Sequence, residues 1–235
     1  MSASTFGSRI FRFYTDLVPP RAPRGIHVMN PYALARVREY VRAFLGKYFA
    51  DNAERVLVLG INPGRFGAGV TGVTFTDPAA LADICGIAND LPRRREPSSI
   101  FVYDFIDAFG GPRDFYRRFF LTAVCPLGFT RRGINYNYYD APRLQRAVTP
   151  FVVDALRRQI AAGGRRDHAI VLGKGKNLRF VEALNAQHGF FQEIHGLTHP
   201  RPIAQYGRRR YREYLNDYLE VFSRTLTVAH RTSVD

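Results

Sequence analysis

RVLVLGINPGRFGAGVTGVTFTD, residues 55–77, opens on four apolar residues, Val56 to Leu59, and continues into a loop with glycines at 60, 64, 67, 69 and 72. A short apolar run ending in glycine reads as a buried parallel strand that delivers its C-terminal loop to a binding crevice. Glycines let the backbone approach a ligand without Cβ interference, and Pro63 stiffens the turn that presents Asn62. The loop matches neither the G-x-G-x-x-G dinucleotide fingerprint nor the G-x-x-x-x-G-K-[ST] phosphate loop.

The order Gly60-Ile61-Asn62-Pro63-Gly64, then Phe66-Gly67, then Thr71-Gly72-Val73 and Phe75, resembles the first motif of the single-strand-selective monofunctional uracil-DNA glycosylases, a branch of the uracil-DNA glycosylase superfamily. Their second motif opens on His-Pro near the C-terminus, and Thr198-His199-Pro200-Arg201-Pro202 stands in the matching place. Val124-Cys125-Pro126-Leu127 is a weaker third match. The resemblance implies a DNA glycosylase that hydrolyses the N-glycosidic bond of uracil. Asn62 would position the attacking water and His199 would donate to the departing base. Phe75 would stack on that base, Gly64 would let it come close, and the backbone around Ile61 and Phe66 would line the pocket. Neither a cofactor nor a metal is implied.

Three positions depart from the family pattern and point to a divergent bacterial subgroup. Arg65 replaces a common proline and adds a cation at the pocket mouth. Ile203 stands where an arginine wedge is usual, so insertion into DNA here would be apolar. Ala123 stands where the uracil-reading Asn is expected, which leaves recognition to backbone groups, to Phe75, or to Asn135 and Asn137. A non-catalytic binder of single-stranded or damaged DNA is the competing reading, but such a module needs neither Asn62 nor His199.

Outward from the motifs, the 235 residues, 46% hydrophobic, suffice for one sizeable core, and a single domain over residues 1–235 is expected, with residues 1–30 as an N-terminal arm. The net charge of +14 suits a polyanionic partner, here single-stranded DNA, although its 34 basic residues include only three lysines, an arginine skew that base composition alone can produce. Cys85 and Cys125 are too few for a four-cysteine zinc or iron–sulfur site. No 18-residue apolar run or signal-peptide pattern occurs, so a cytoplasmic monomer with reduced thiols is expected.

Periodicity places a helix over Pro31 to Phe49, a short one after Asp77-Pro78, another after Ser98 or Ser99, a longer one over Pro142 to Ala162, one to His188, and a last over Tyr206 to Leu226. Further strands are expected at Phe119 to Val124, His168 to Leu172 and Phe190 to Ile194. With the first strand these predict a three-layer αβα sandwich around a four-stranded, mainly parallel sheet. The tyrosines between Gly133 and Asp140 either stack on unpaired bases or pack across strands. Lys174 and Lys176, at a glycine-rich helix start, read as contacts to backbone phosphate, as do Arg65, Arg201, Arg208 and Arg209. The run Arg93 to Arg95 reads as a solvated face.

Overall fold

A computed structural model describes residues 4–227. It begins with helix α1 (Phe6–Thr15), strand β1 (Ile26–Met29), a 3-10 turn at Pro31–Ala33, α2 (Ala35–Tyr48) and β2 (Arg55–Gly60). The motif loop carries α3 (Ala68–Thr71) and leads to α4 (Pro78–Asp83), α5 (Pro97–Ala108), α6 (Pro112–Tyr116) and β3 (Phe119–Ala123). Then come β4 (Gly128–Arg131), β5 (Ile134–Tyr136), α7 (Pro142–Ala161), β6 (Gly164–Leu172), α8 (Lys176–His188) and β7 (Glu193–Leu197). The chain closes with α9 (Pro200–Tyr206), a second 3-10 turn at Arg208–Arg210, and α10 (Tyr211–Thr227).

The main sheet has the order β3-β2-β6-β7, and all three pairings are parallel. Every residue of β2 is buried, as a central strand covered on both faces requires. Helix α1 packs on both α2 and α7, while α5, α9 and α10 pack on one another, giving the expected three-layer α/β architecture. At the foot of β2, fully buried Arg55 meets both carboxylate oxygens of Asp51 at 2.9 Å and donates to the Tyr116 carbonyl.

Several boundaries differ from the sequence reading. Of the arm expected over residues 1–30, the described residues 4–30 are packed into the fold: Phe6 and Ile10 of α1 are fully buried, and β1 joins a second sheet of order β1-β4-β5, antiparallel throughout. Phe6, Ile10, Phe13 and Tyr14 make an apolar stripe that α1 buries, with arginines between them at its solvent side. The α5 cap position is Glu96, because Pro97 takes the first helical position and puts Ser98 and Ser99 inside the first turn. Strand β7 begins at Glu193, since Phe190 and Phe191 are spent as core residues ahead of it. The last helical stretch breaks at Gly207 into α9, a 3-10 turn and α10.

Candidate active site

Strands β2 and β3 end together, Gly60 beside Ala123 in register. Beyond them opens a cavity of about 310 Å³, walled by the motif loop, the Glu96 turn, the loop after β5 and the start of α9. Ile61, Asn62, Gly64, Phe75, Ala123, His199 and Arg201, all expected at the site, line it. Residue 123 therefore faces the pocket, and the side chain there is a methyl group.

Asn62 is clamped by the end of β5 and the loop after it. Its Nδ2 donates to the Tyr136 carbonyl at 3.3 Å, and its Oδ1 accepts from the Tyr138 N–H at 3.1 Å. Both bonds go to backbone, so the amide plane is fixed while Oδ1 keeps a second lone pair for a water molecule. Tyr138 is fully buried and donates to Asn177 Oδ1 at 2.7 Å, whereas Tyr139 lines the pocket.

His199 caps α9 with its ring: Nδ1 accepts from the Arg201 N–H at 3.2 Å. An accepting Nδ1 carries no proton, so the neutral ring bears its hydrogen on Nε2, free to donate. Burial, with the Arg201 cation beside it, lowers the His199 pKa to about 4. The ring stays neutral at physiological pH. Phe75 stands 5.7 Å from it, centroid to centroid, and holds a left-handed backbone with φ of 56°. Such a conformation is costly for an aromatic residue and is kept where the surroundings impose it. Its ring lies so close over Gly60 that a Cβ there would meet it at 2.9 Å.

Other expected site residues lie elsewhere. Phe66 does not line the cavity; its ring is covered by the Arg94 guanidinium at 3.7 Å and by that of Arg65 at 4.4 Å. Ile203 is 1% exposed, so it cannot enter DNA: α9 packs on α5 and turns this position into the core. Lys174, Lys176 and Arg209 are exposed, and the Lys176 ammonium lies 6.0 Å from the ring of pocket-lining Tyr139. Arg65 is exposed and reaches the Gly133 carbonyl. The Arg208 side chain lies outside the described residues.

Sequence reading missed Glu96, Ser98 and Thr74 as lining residues. Glu96 had one visible signal, an acidic residue at the end of the Arg93–Arg95 run where a cap was due. Apart from the pocket, His168 and His195 meet at 3.1 Å, with Glu193 Oε2 3.6 Å from both. This is a set of groups close enough to hold a cation, and none of the three lines the pocket.

The uracil DNA glycosylase superfamily model matches residues 47–223. The chain is 32% identical over 224 residues to the single-strand selective monofunctional uracil-DNA glycosylase of Rattus norvegicus, covering 85% of this chain and 77% of the relative. The Mus musculus protein of the same name is 30% identical over the same shares. The crystal structure of wild-type Pedobacter heparinus SMUG2 superposes with a TM-score of 0.92 at 41% identity, covering 95% of this chain and 99% of that one. With a matching family model over most of its length and relatives that align across the body of the fold, this chain belongs to the uracil DNA glycosylase superfamily.

Proposed function

We infer that this protein is a monofunctional DNA glycosylase that hydrolyses the N-glycosidic bond of uracil, preferring single-stranded DNA, in base excision repair. The observation that carries the reading is the convergence of a backbone-clamped Asn62 and a neutral His199, with its hydrogen on Nε2, on one cavity beside the Phe75 ring. An extruded uracil stacks on Phe75 and sits over Gly64. Extrusion costs a few kcal/mol, least where no partner strand opposes it. As the glycosidic bond stretches, negative charge grows on the base, and the Nε2 hydrogen of His199 meets it. A neutral imidazole serves here as a fixed donor, which needs no proton supply. Asn62 Oδ1 holds the water that attacks the sugar. Removing one such fixed donor costs about 10²- to 10³-fold in rate in comparable sites.

DNA is held by charge. Lys174, Lys176, Arg65, Arg201, Arg208 and Arg209 contact backbone phosphates, and the protein acts as a monomer in the cytoplasm. Among the described residues no helix is long and apolar enough to cross a membrane. The test is direct. A labelled single-stranded oligonucleotide with one uracil, incubated with the protein in excess chelator and then treated with alkali, breaks at the uracil position. An intact strand contradicts the reading.

A further inference from the structure

Ala123 offers no polar group to the base, yet among the polar groups lining the pocket that the chemistry above does not use, two stand together over Gly64. The first is Glu96. Its backbone is fixed, with its N–H donating to Asp77 Oδ2 at 2.8 Å, and it stands at the cap position of α5 without capping that helix. Instead the side chain turns into the pocket, where Oε1 is buried and has no hydrogen-bond partner among the described residues. The carboxylate can lie there because residue 67 is glycine: a Cβ on Gly67 would stand 2.5 Å from Oε2. A buried carboxylate oxygen with nothing to accept from is costly, and such groups in native proteins call for a specific explanation.

The second is the Asn135 amide. Its Oδ1 accepts from the Arg65 backbone N–H at 3.1 Å, which fixes the flip of the group and presents Nδ2 as a donor. Both groups border the same open space. The position of a Cβ on Gly64 lies 3.4 Å from Asn135 Nδ2 and 4.0 Å from Glu96 Oε1, with nothing else within 4 Å.

We propose that Asn135 Nδ2 and Glu96 Oε1 form the base-reading pair, a fixed donor beside a fixed acceptor over Gly64, in place of the asparagine that Ala123 lacks. Uracil's edge presents the complement, the O4 acceptor next to the N3–H donor. Cytosine presents the reverse, an amino group at position 4 and a bare N3, and so sets donor against donor and acceptor against acceptor. The N3–H to carboxylate bond is charge-assisted. Burial raises the pKa of this carboxyl, the Arg201 and Arg94 cations work against that rise, and the Asp77 charge adds to it. Oε1 accepts whether the group is ionised or carries a proton on Oε2, so the reading does not depend on titration. Gly64 keeps the space free for the base.

This assignment rests on the uracil-excision reading, and the test separates the two. Single-stranded oligonucleotides carrying an uncleavable 2′-fluorinated deoxyuridine or deoxycytidine at one position are titrated against the wild-type chain and the variants Glu96→Ala, Glu96→Gln, Asn135→Ala and Asn135→Asp. The wild type is expected to prefer the uracil strand. Glu96→Ala and Asn135→Ala should each lower that preference about 10-fold or more, in line with the discrimination given by one good polar pair. Asn135→Asp, which turns the donor into an acceptor of the same shape, should lower it at least as far. Glu96→Gln keeps an acceptor and should stay within about threefold of wild type. An unchanged preference in Glu96→Ala and Asn135→Ala, or a Glu96→Gln variant that melts like wild type yet behaves like Glu96→Ala, overturns the pair. A wild type that removes no uracil in the alkali assay overturns the proposed function, while the binding ratios still decide the pair.

Discussion

A single imidazole, His199, links the helix cap, the pocket and the pH behaviour of the molecule. Its Nδ1 is committed to the Arg201 N–H, and its ring is buried beside the Arg201 cation, so that burial first and this neighbouring charge second disfavour the protonated form. The pKa therefore falls from the ordinary 6.5 to about 4. The unfolded chain takes up this proton near pH 6.5 and the folded chain does so only near 4. Stability from this group is thus complete above the ordinary imidazole value and is lost as pH falls through that window, by up to roughly 3 kcal/mol. Thermal melts at pH 7 and pH 5 check this. The wild type should lose more Tm on acidification than His199→Gln, whose amide does not titrate, and equal losses would show that His199 is not held neutral by the fold. The sequence revealed that His199 mattered because His-Pro is a recognisable opening to a motif. That the ring caps its own helix, and so fixes its tautomer, is a property of three-dimensional placement. Ile203 illustrates the same limit. Its number in the motif suggests a wedge, but α9 packs on α5 and sends that position inward.

At the scale of elements, β2, β3 and the second half of β6 are legible because each carries an apolar run feeding a glycine- or proline-rich loop, whereas the expectation for β7 starts three residues early because Glu-Ile-His-Gly-Leu carries none. The three-stranded sheet is not legible. Its strands are three or four residues long, and its hairpin turn is Arg132-Gly133, without the Asn-Gly or Asp-Gly that announces a tight turn. Both turn residues have positive φ, 51° and 73°, the pattern of a type I′ turn. Arginine is poorly suited to that backbone and asparagine tolerates it well. Arg132→Asn should therefore stabilise the protein by about 0.5–1 kcal/mol, raising Tm by about 1–4 °C. An unchanged or lower Tm in a scanning-calorimetry comparison would contradict the turn assignment. The hairpin matters because the end of β5 and the loop after it supply the two backbone partners of Asn62. Glu96 escaped notice for a similar reason: the hydrogen bond from its N–H to the Asp77 cap of α4 joins two loops that are distant in sequence.

For the molecule as a whole, the excess of positive charge becomes functional only where it lies beside the pocket. Lys174 and Lys176 stand exposed around the start of α8, whose N-terminus adds its own positive end. If they contact phosphates, log affinity for single-stranded DNA falls with log salt at a slope of about −0.7 per phosphate, and Lys174→Ala with Lys176→Ala flattens it by about 1.4 in total. A slope that stays the same returns these lysines to the solvated surface. The central claim is that the pocket acts on the transition state through Asn62 and His199 rather than by holding DNA. The measurement that tests it is single-turnover uracil excision from a single-stranded oligonucleotide, set beside affinity for the uncleavable strand, in wild type, Asn62→Ala and His199→Ala. Excision should fall at least about 10²-fold in each variant while affinity changes by less than about threefold. Excision that survives either substitution, or affinity that collapses in step with the rate, would contradict it.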